Sequence, residues 1–524
     1  MHRRHFLAGS AAILAAPAIA HAASPRVLRF IPQADLTVLD PVWTTAYTTR
    51  NHGFAVFDTL YGLDSKFRPT PQMLAGAVKN ADATEWRLGL RPGLKFHDGT
   101  PVLARDCVAS IRRWAARDGF GQALMAASDD VVALNDETIQ FRLKRPFPLL
   151  PDALGKSATN MCAIMPERLA QTDPFQELTE MVGSGPFRFV ASERIPGSRV
   201  VYEKFDGYVP RPSGTPDWTA GPKLVNVDRV EWMVTPNPDA AAAALESGTV
   251  DWWEAPLPDM LARLKRVPAV ALDVQNPTGQ IPVMRMNQLH PPFDNPAIRR
   301  AVLSAVTQMD FLTAAVGDQA LLKHVPAGFF CPGTPMATDS GMEAMTTPRD
   351  LAAATKAITD AGYKGEVVVV LTPQDVPMLK AVSDMGADLL RRLGLKVDVQ
   401  DMDWGTILKR RDSQVAPDKG GWNVFHTFWD GLDQLNPATN VMLRGNGLAA
   451  SPGWPSNPGI EAARDRWLAA ADEAEQKRLA ADIQKQAFEA VPYIPLGQSF
   501  STTAYRGLTG VLDGFPLFWN LKKS

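Results

Sequence analysis

The sequence predicts an α/β protein of two lobes with a smaller, hairpin-rich α+β unit, on three observations. Val230-x-Trp232-x-Val234, a helical stretch from Asp239 to Ser247 ended by Gly248, and Val250-Asp251-Trp252 follow at the spacing of a parallel strand-helix-strand crossover. A second crossover runs through the apolar run Val367 to Leu371, a helix marked by Leu379, Val382, Met385, Leu389 and Leu393, and the strand from Lys396 to Val399. Between Trp86 and Leu143 the pattern is instead period-two alternation broken by turn residues, the mark of antiparallel hairpins. A chain of 524 residues also exceeds one ordinary core, so two or three domains are expected.

In chain order, Leu36 to Pro41 and Asp58 to Leu63 precede the hairpin region. There Trp86, Leu88 and Leu90 alternate, Arg91-Pro92-Gly93 turns, and Leu94 to His97 leads back to a turn at Asp98-Gly99. Val131 to Leu134 and Ile139 to Leu143 flank Asn135-Asp136 as another hairpin, and Ala104 to Arg117 sets Val108, Ile111 and Ala115 on one helical face. Past Gly183-Ser184-Gly185-Pro186, Phe187 to Val190 and Arg199 to Glu203 bracket Ile195 to Ser198 as a third. Asn295-Pro296 reads as an N-cap followed by proline at the first helical position, opening a stripe of Ile298, Ala301, Val302, Ala305, Val306 and Met309 with Arg299, Arg300 and Gln308 opposite. Asp472-x-x-Glu475 is a capping box for a late helix that stops before Pro492, and the tail from Tyr493 to Trp519 returns to strand-like alternation toward the earlier lobe.

The first residues combine a cationic start, a short Ala/Leu/Ile run and small residues at A-x-A spacing (Ala18-Ile19-Ala20 or Ala20-His21-Ala22). The apolar run is well short of the ~20 residues that span a bilayer, so a cleaved export signal at 1–22 and an extracytoplasmic mature protein are expected, with no direct membrane insertion. Arg3-Arg4-His5-Phe6-Leu7 resembles a twin-arginine motif, and an ordinary secretory signal fits as well. Without the signal the charge is 52 basic against 56 acidic residues, a balance with no basic stripe for nucleic acid. Cys107, Cys162 and Cys331 are expected as buried thiols. The histidines are scattered, so no metal site is expected.

The most telling stretch is Gly420 to Asn440. Trp422, Val424, Phe425, Phe428 and Trp429 form an apolar, aromatic strand between glycines, and Asp430, Asp433 and Asn436 follow on a loop at its carboxyl end, where open α/β sheets bind ligands. Aromatic walls beside a carboxylate suit a small cationic or zwitterionic molecule; taken alone, the same residues read first as a core strand and its turn. Trp404, after the strand at Val397, is a second candidate pocket wall. Trp252 and Trp253 are adjacent, so one is expected toward the core and Trp253 toward a crevice. Catalytic signatures are missing. Gly183-x-Gly185 lacks the third glycine of a dinucleotide fingerprint, and there is neither a G-x-S-x-G elbow nor a phosphate loop. No catalytic residue and no cofactor are therefore expected.

Several stretches together resemble the bacterial extracellular solute-binding proteins of family 5, the dipeptide, oligopeptide, nickel and opine binders of ABC importers. They are Asp58 to Leu63, Trp86 to Pro101 with LRPGLKFHDGTP, Val182 to Phe189, Ala244 to Asp251, Met286-Asn287 through Pro292-Phe293-Asp294 into Arg299-Arg300-Ala301, Asp360 to Tyr363, and Val491 to Leu496. They keep the family's order over nearly the whole mature chain.

The resemblance implies a type II periplasmic-binding-protein clamshell whose two lobes, joined by two crossings, close on a small-molecule or peptide ligand. The closed form would be recognised by an ABC permease in the inner membrane. Lobe I is expected over 23–57, 181–280 and 491–524, the extra domain over 58–180 and lobe II over 281–490, in a monomeric periplasmic receptor. In the peptide binders an aspartate in a W-x-x-D-type loop before a proline pairs with the ligand's ammonium. Counting back from Pro437, that residue is Asp433, with Asp430 the near alternative; this sequence has Asn436-Pro437 where those members have Asp-Pro. Tyr47, Arg50 and Asn51 lie in the segment that reaches the cleft in relatives. Competing readings are a secreted hydrolase using separated carboxylates and a peptide-holding chaperone or signalling receptor on the same fold.

Overall fold

Two seven-stranded mixed sheets organise the chain, which the computed structural model describes over residues 26–319 and 322–524; the expected export signal lies outside the described residues. In the first sheet Val27–Ile31 is central and parallel to Arg229–Met233 on one side and Trp252–Trp253 on the other. The helix Pro238–Ser247 makes the crossover between those two strands, so the crossover read from the sequence spans the central strand instead of joining neighbours. Local chemistry sets its ends: the Asn237 side chain accepts from the Ala240 amide, and Gly248 takes a left-handed φ of 78°. Arg199–Lys204 and Phe187–Phe189 extend the sheet on one edge, Thr503–Arg506 and Val270–Asp273 on the other, all antiparallel. Phe30 anchors the core, with ring centroids 5.1 Å from Trp252 and 5.2 Å from Phe518.

In the second sheet Gln280–Met286 pairs antiparallel with Val424–Asp430, and Val367–Pro373 runs parallel to both Val424–Asp430 and Lys396–Met402. The helix Pro377–Arg392 makes the second crossover where the sequence indicates it. Gln280 and Ser499 are register partners, so the chain passes between sheets twice, after Asp273 and after Ser499. Ile494–Pro495 and Gln498–Ser499 still pair within the second sheet, and the tail rejoins the first at Thr503.

The extra unit is a four-stranded antiparallel sheet in the order Leu74–Lys79, Glu85–Leu90, Thr138–Leu143, Ser128–Ala133, covered by the helix Ala104–Arg117 with Cys107, Ile111 and Trp114 fully buried. The three cysteines are buried free thiols. Gly183 and Gly185 thread this unit past the end of the helix Tyr47–Val56; a Cβ on Gly183 would stand 2.0 Å from the Val56 carbonyl oxygen.

Three expectations are corrected. Leu94 to His97 does not return as a strand beside Glu85–Leu90, which takes Leu74–Lys79 and Thr138–Leu143 as neighbours; only the bridge Lys95 to Pro101 forms, and His97 turns to the Gly185 carbonyl. The stripe from Ile298 to Met309 is broken. Pro296–Ala305 ends and Gln308–Val316 begins anew, which leaves Met309 39% exposed and buries Gln308, whose amide donates to the Ala327 and Pro495 carbonyls at 2.7 and 2.9 Å. Arg299, expected outside, is buried because its guanidinium finds the Phe293 and Ala490 carbonyls at 2.7 and 2.8 Å.

Candidate functional site

The site grows from two elements that meet where the sheets face each other. The helix Tyr47–Val56 carries Tyr47, Arg50 and Asn51 on one face, since residues three and four apart are neighbours on a helix. The strand Val424–Asp430 presents Phe428 and Asp430 on one side by its two-residue period, then turns into the short 3-10 helix Gly431–Gln434. Asp430 caps that turn through the Leu432 amide at 3.0 Å, which aims Asp433 back toward the helix. Tyr47 and Phe428 stack with centroids 6.2 Å apart and planes at 21°.

The two aspartates have different company. Asp430 pairs with Arg50 at 3.0 Å and accepts from Asn276 and Thr278, each at 3.1 Å, on the segment that crosses between sheets. The Arg50 guanidinium lies 4.2 Å from the Phe515 ring centroid and 4.9 Å from that of Tyr47. Asp433, only 2% exposed, is held by neutral donors: the Tyr47 hydroxyl at 3.0 Å, the Thr159 hydroxyl at 2.9 Å and the Thr159 amide at 3.3 Å. The two buried cations in its vicinity, Arg50 and Lys156, each pair with another aspartate, Asp430 and Asp118. Burial therefore pushes the Asp433 carboxyl up, and the Asp430 charge adds to this against the opposing pull of Lys156 and Arg50. The Tyr47 hydroxyl, which accepts from the Asp430 amide at 2.6 Å while donating to Asp433, is pushed well above the usual phenol range by burial and both carboxylates.

Asn51 donates to Glu254 at 3.2 Å, and the other Glu254 oxygen accepts from the Gln33 amide at 2.7 Å. Burial pushes the Glu254 carboxyl up to about 7. A cavity of about 60 Å³ is bounded by Tyr47, Arg50, Glu254, Asn276, Asp430 and Phe515. A larger one, about 470 Å³, opens between the extra unit and the second sheet's lobe. Lys156 to Ala158 and Leu432, Leu435 and Asn436, the segments on either side of the Asp433–Thr159 contact, line it.

Of the residues singled out in the sequence, the structure brings together Tyr47, Arg50, Asn51, Asp430 and Asp433. Trp429 is on the opposite face of its strand from Asp430, half-buried against the core; the ring beside Tyr47 is Phe428, which the two-residue period counted back from Asp430 would have picked out. Trp404 opens the helix Trp404–Arg410 and packs on the separate cluster around Trp422. Trp253 is buried in the core on one face of the first sheet and Trp252 on the other, so neither lines a crevice. Thr159, Glu254, Asn276 and Thr278 carry no local signal and reach the site only through the fold.

The model of the bacterial extracellular solute-binding proteins, family 5 (middle part), matches residues 68–441. The chain belongs to this family. It is 37% identical over 495 residues, 94% of this chain and 92% of the relative, to a probable peptide ABC transporter periplasmic-binding protein of Sinorhizobium fredii. Among solved structures it resembles the binding protein AgaA of A. tumefaciens R10 in complex with agropinic acid, with a TM-score of 0.78 and 20% identity over 95% of this chain and 99% of that one. It also resembles a dipeptide-binding protein of Pseudoalteromonas sp. SM9913 in complex with Met-Leu, with a TM-score of 0.77 and 17% identity over 95% of this chain and 100% of that one. The fold is thus the type II periplasmic-binding-protein clamshell with an extra domain, and the family member is an extracytoplasmic solute-binding protein of an ABC transporter, not an enzyme.

Proposed function

We propose that this family member captures a peptide-like or other small amine-bearing solute between its lobes, with Asp433 receiving the solute's ammonium group. The observation that carries this is a buried carboxylate at the meeting of the lobes that is held by hydroxyl and amide donors alone, while the cations around it are engaged elsewhere. Such a carboxylate gains most from a positive partner that arrives with the ligand. Tyr47 and Phe428 supply aromatic surface beside it, and Arg50 with Asp430 fixes the helix to the crossing segment.

On this reading the lobes rotate at the two crossings, a periplasmic monomer exported through the signal at 1–22 closes on its cargo, and an inner-membrane permease accepts it. The names of the relatives support a peptide among the candidate solutes. Thermal melts of the mature protein with a dipeptide panel test the assignment, since a ligand at a hundred times its Kd raises stability by about 2.7 kcal/mol. Stabilisation that is absent for every amine-bearing compound, or unchanged in Asp433→Asn, would overturn it. Recovery of the solute intact by mass spectrometry separates capture from hydrolysis, and transport assays with the permease separate a receptor from a peptide-holding chaperone.

A further inference from the structure

We infer that Asp152 is the acidic end of a second subsite, in the cavity of about 470 Å³ between the extra unit and the second lobe, which takes a guanidinium or ammonium side group of the solute whose amino group docks on Asp433. The inference deepens the reading above and rests on it. Asp152 is on the short helix Leu150–Leu154 at the wall of this cavity, whose other surfaces include Phe67, Leu149, Met336, Leu435 and Trp467. Among the described residues no lysine, arginine or histidine nitrogen lies within 4.0 Å of its carboxylate, and no other side chain donates to it. Burial pushes this carboxyl up, to about 7, against the pull of its own backbone amide and with no neighbouring cation among the causes.

The cations that line the same cavity are occupied or exposed. Lys156 pairs with Asp118, Arg68 with Asp64, and Lys79 covers the Trp86 ring; Lys66 is exposed. The cavity thus sets apolar side chains such as Phe67, Leu149 and Trp467 beside polar ones that include Asn436 and Gln476, with Asp472 and Glu473 exposed at its rim and Asp152 the half-buried acid without a cation, a lining that can take an alkyl chain with a cationic tip. At ~30 Å³ per water, the volume accommodates a lysine or arginine side chain with room for its hydration. The two sites share walls, because the cavity is lined by the residues flanking Asp433 and Thr159.

The test is calorimetric titration of the mature protein with Ala-Arg, Ala-Lys and the neutral isostere Ala-norleucine, together with their reversed sequences. The expected result is at least tenfold tighter binding of the basic peptide than of its norleucine counterpart in one orientation. Asp152→Asn should abolish this preference, and Asp433→Asn should weaken both members of the pair alike. Asp152→Leu, which replaces the acid by an apolar side chain, should reverse the preference. Equal affinities in the wild type, or a preference that survives both Asp152 variants, overturns the subsite and leaves Asp433 standing. No binding of any of these peptides overturns the peptide reading and the subsite with it.

Discussion

Asp433→Asn separates a ligand-anchoring role from a structural one, because the first predicts lost affinity and the second lost stability. The substitution keeps the shape of a side chain that is 2% exposed and held by the Tyr47 hydroxyl and by Thr159. It removes the charge that burial and Asp430 disfavour. In the ligand-free protein, relief from the disfavoured charge offsets the hydrogen bond that the amide nitrogen cannot accept from the Tyr47 hydroxyl, and stability should stay within about 1 kcal/mol of the wild type. The solute's ammonium, by contrast, loses a desolvated ionic partner, which typically costs about 2–4 kcal/mol. At 1.4 kcal/mol per decade this is a roughly 30- to 700-fold rise in Kd. Isothermal titration with the retained solute reads the affinity, and urea unfolding without ligand reads the stability. An affinity within threefold of wild type, accompanied by about 2 kcal/mol or more of lost stability, would show that Asp433 holds the fold and not the ligand.

The neighbouring aspartate gives the converse result: Arg50→Met strands Asp430 in a buried site and should cost about 3–5 kcal/mol in urea unfolding, most of it recovered in the double variant with Asp430→Asn, which removes the stranded charge and keeps an acceptor for Thr278 and the Leu432 amide. Full stability of the single variant would contradict the pairing. Gly431→Ala would put a Cβ 2.3 Å from the Thr278 carbonyl oxygen and 2.5 Å from Cys331 Sγ, on the turn between the two aspartates. It should cost about 1–3 kcal/mol and lower Tm, read by calorimetry. Glu254, whose carboxyl is pushed up to about 7 from 4.5, holds its proton in the folded state over a range where the unfolded chain has released it. That contribution is full below pH 4.5 and is lost as pH rises through 7, by up to ~3 kcal/mol at 1.36 kcal/mol per pH unit. Glu254→Gln should flatten this slope in denaturation curves taken across the range, and an unchanged slope would assign the proton elsewhere.

What was legible in the sequence is what a short window encodes. Both crossovers, the helix Ala104–Arg117 and the caps at Asn295 and Asp472 were found because periodicity and capping chemistry operate within a few residues of each other. Asp433 was reached by counting within one loop. The Arg50–Asp430 pair bridges 380 positions, and Thr159 meets Asp433 across 274, so neither contact has a local trace. Met309 leaves the buried face because the periodic stripe runs on past a break after Ala305, where the second helix starts with a different face turned inward. The tryptophans misled for a related reason. Adjacent Trp252 and Trp253 do point to opposite faces, but helices and loops cover both faces of this sheet, so alternation did not imply a crevice.

The arrangement of the two aspartates also bears on how capture is coupled to closure. Three residues apart on one turn, they have complementary environments: Asp430 meets a cation and the crossing segment, Asp433 only neutral donors. One phenol joins them, since the Tyr47 oxygen accepts from the backbone of the first and donates to the carboxylate of the second. Tyr47 belongs to a helix packed on the first lobe's side, Thr159 precedes Asn160, whose carbonyl accepts from Trp114 of the extra unit's helix, and both aspartates end a strand of the second sheet, so Asp433 lies where all three parts meet. A cationic group arriving at that carboxylate would act where these parts converge, and it would be felt at the crossing segment through a path of three hydrogen bonds, from Asp433 to Tyr47, from Tyr47 to Asp430 and from Asp430 to Asn276 or Thr278. Because the Arg50–Asp430 pair is complete without ligand, the local framework is already assembled, and the free energy of binding is directed to the one carboxylate that lacks a cation.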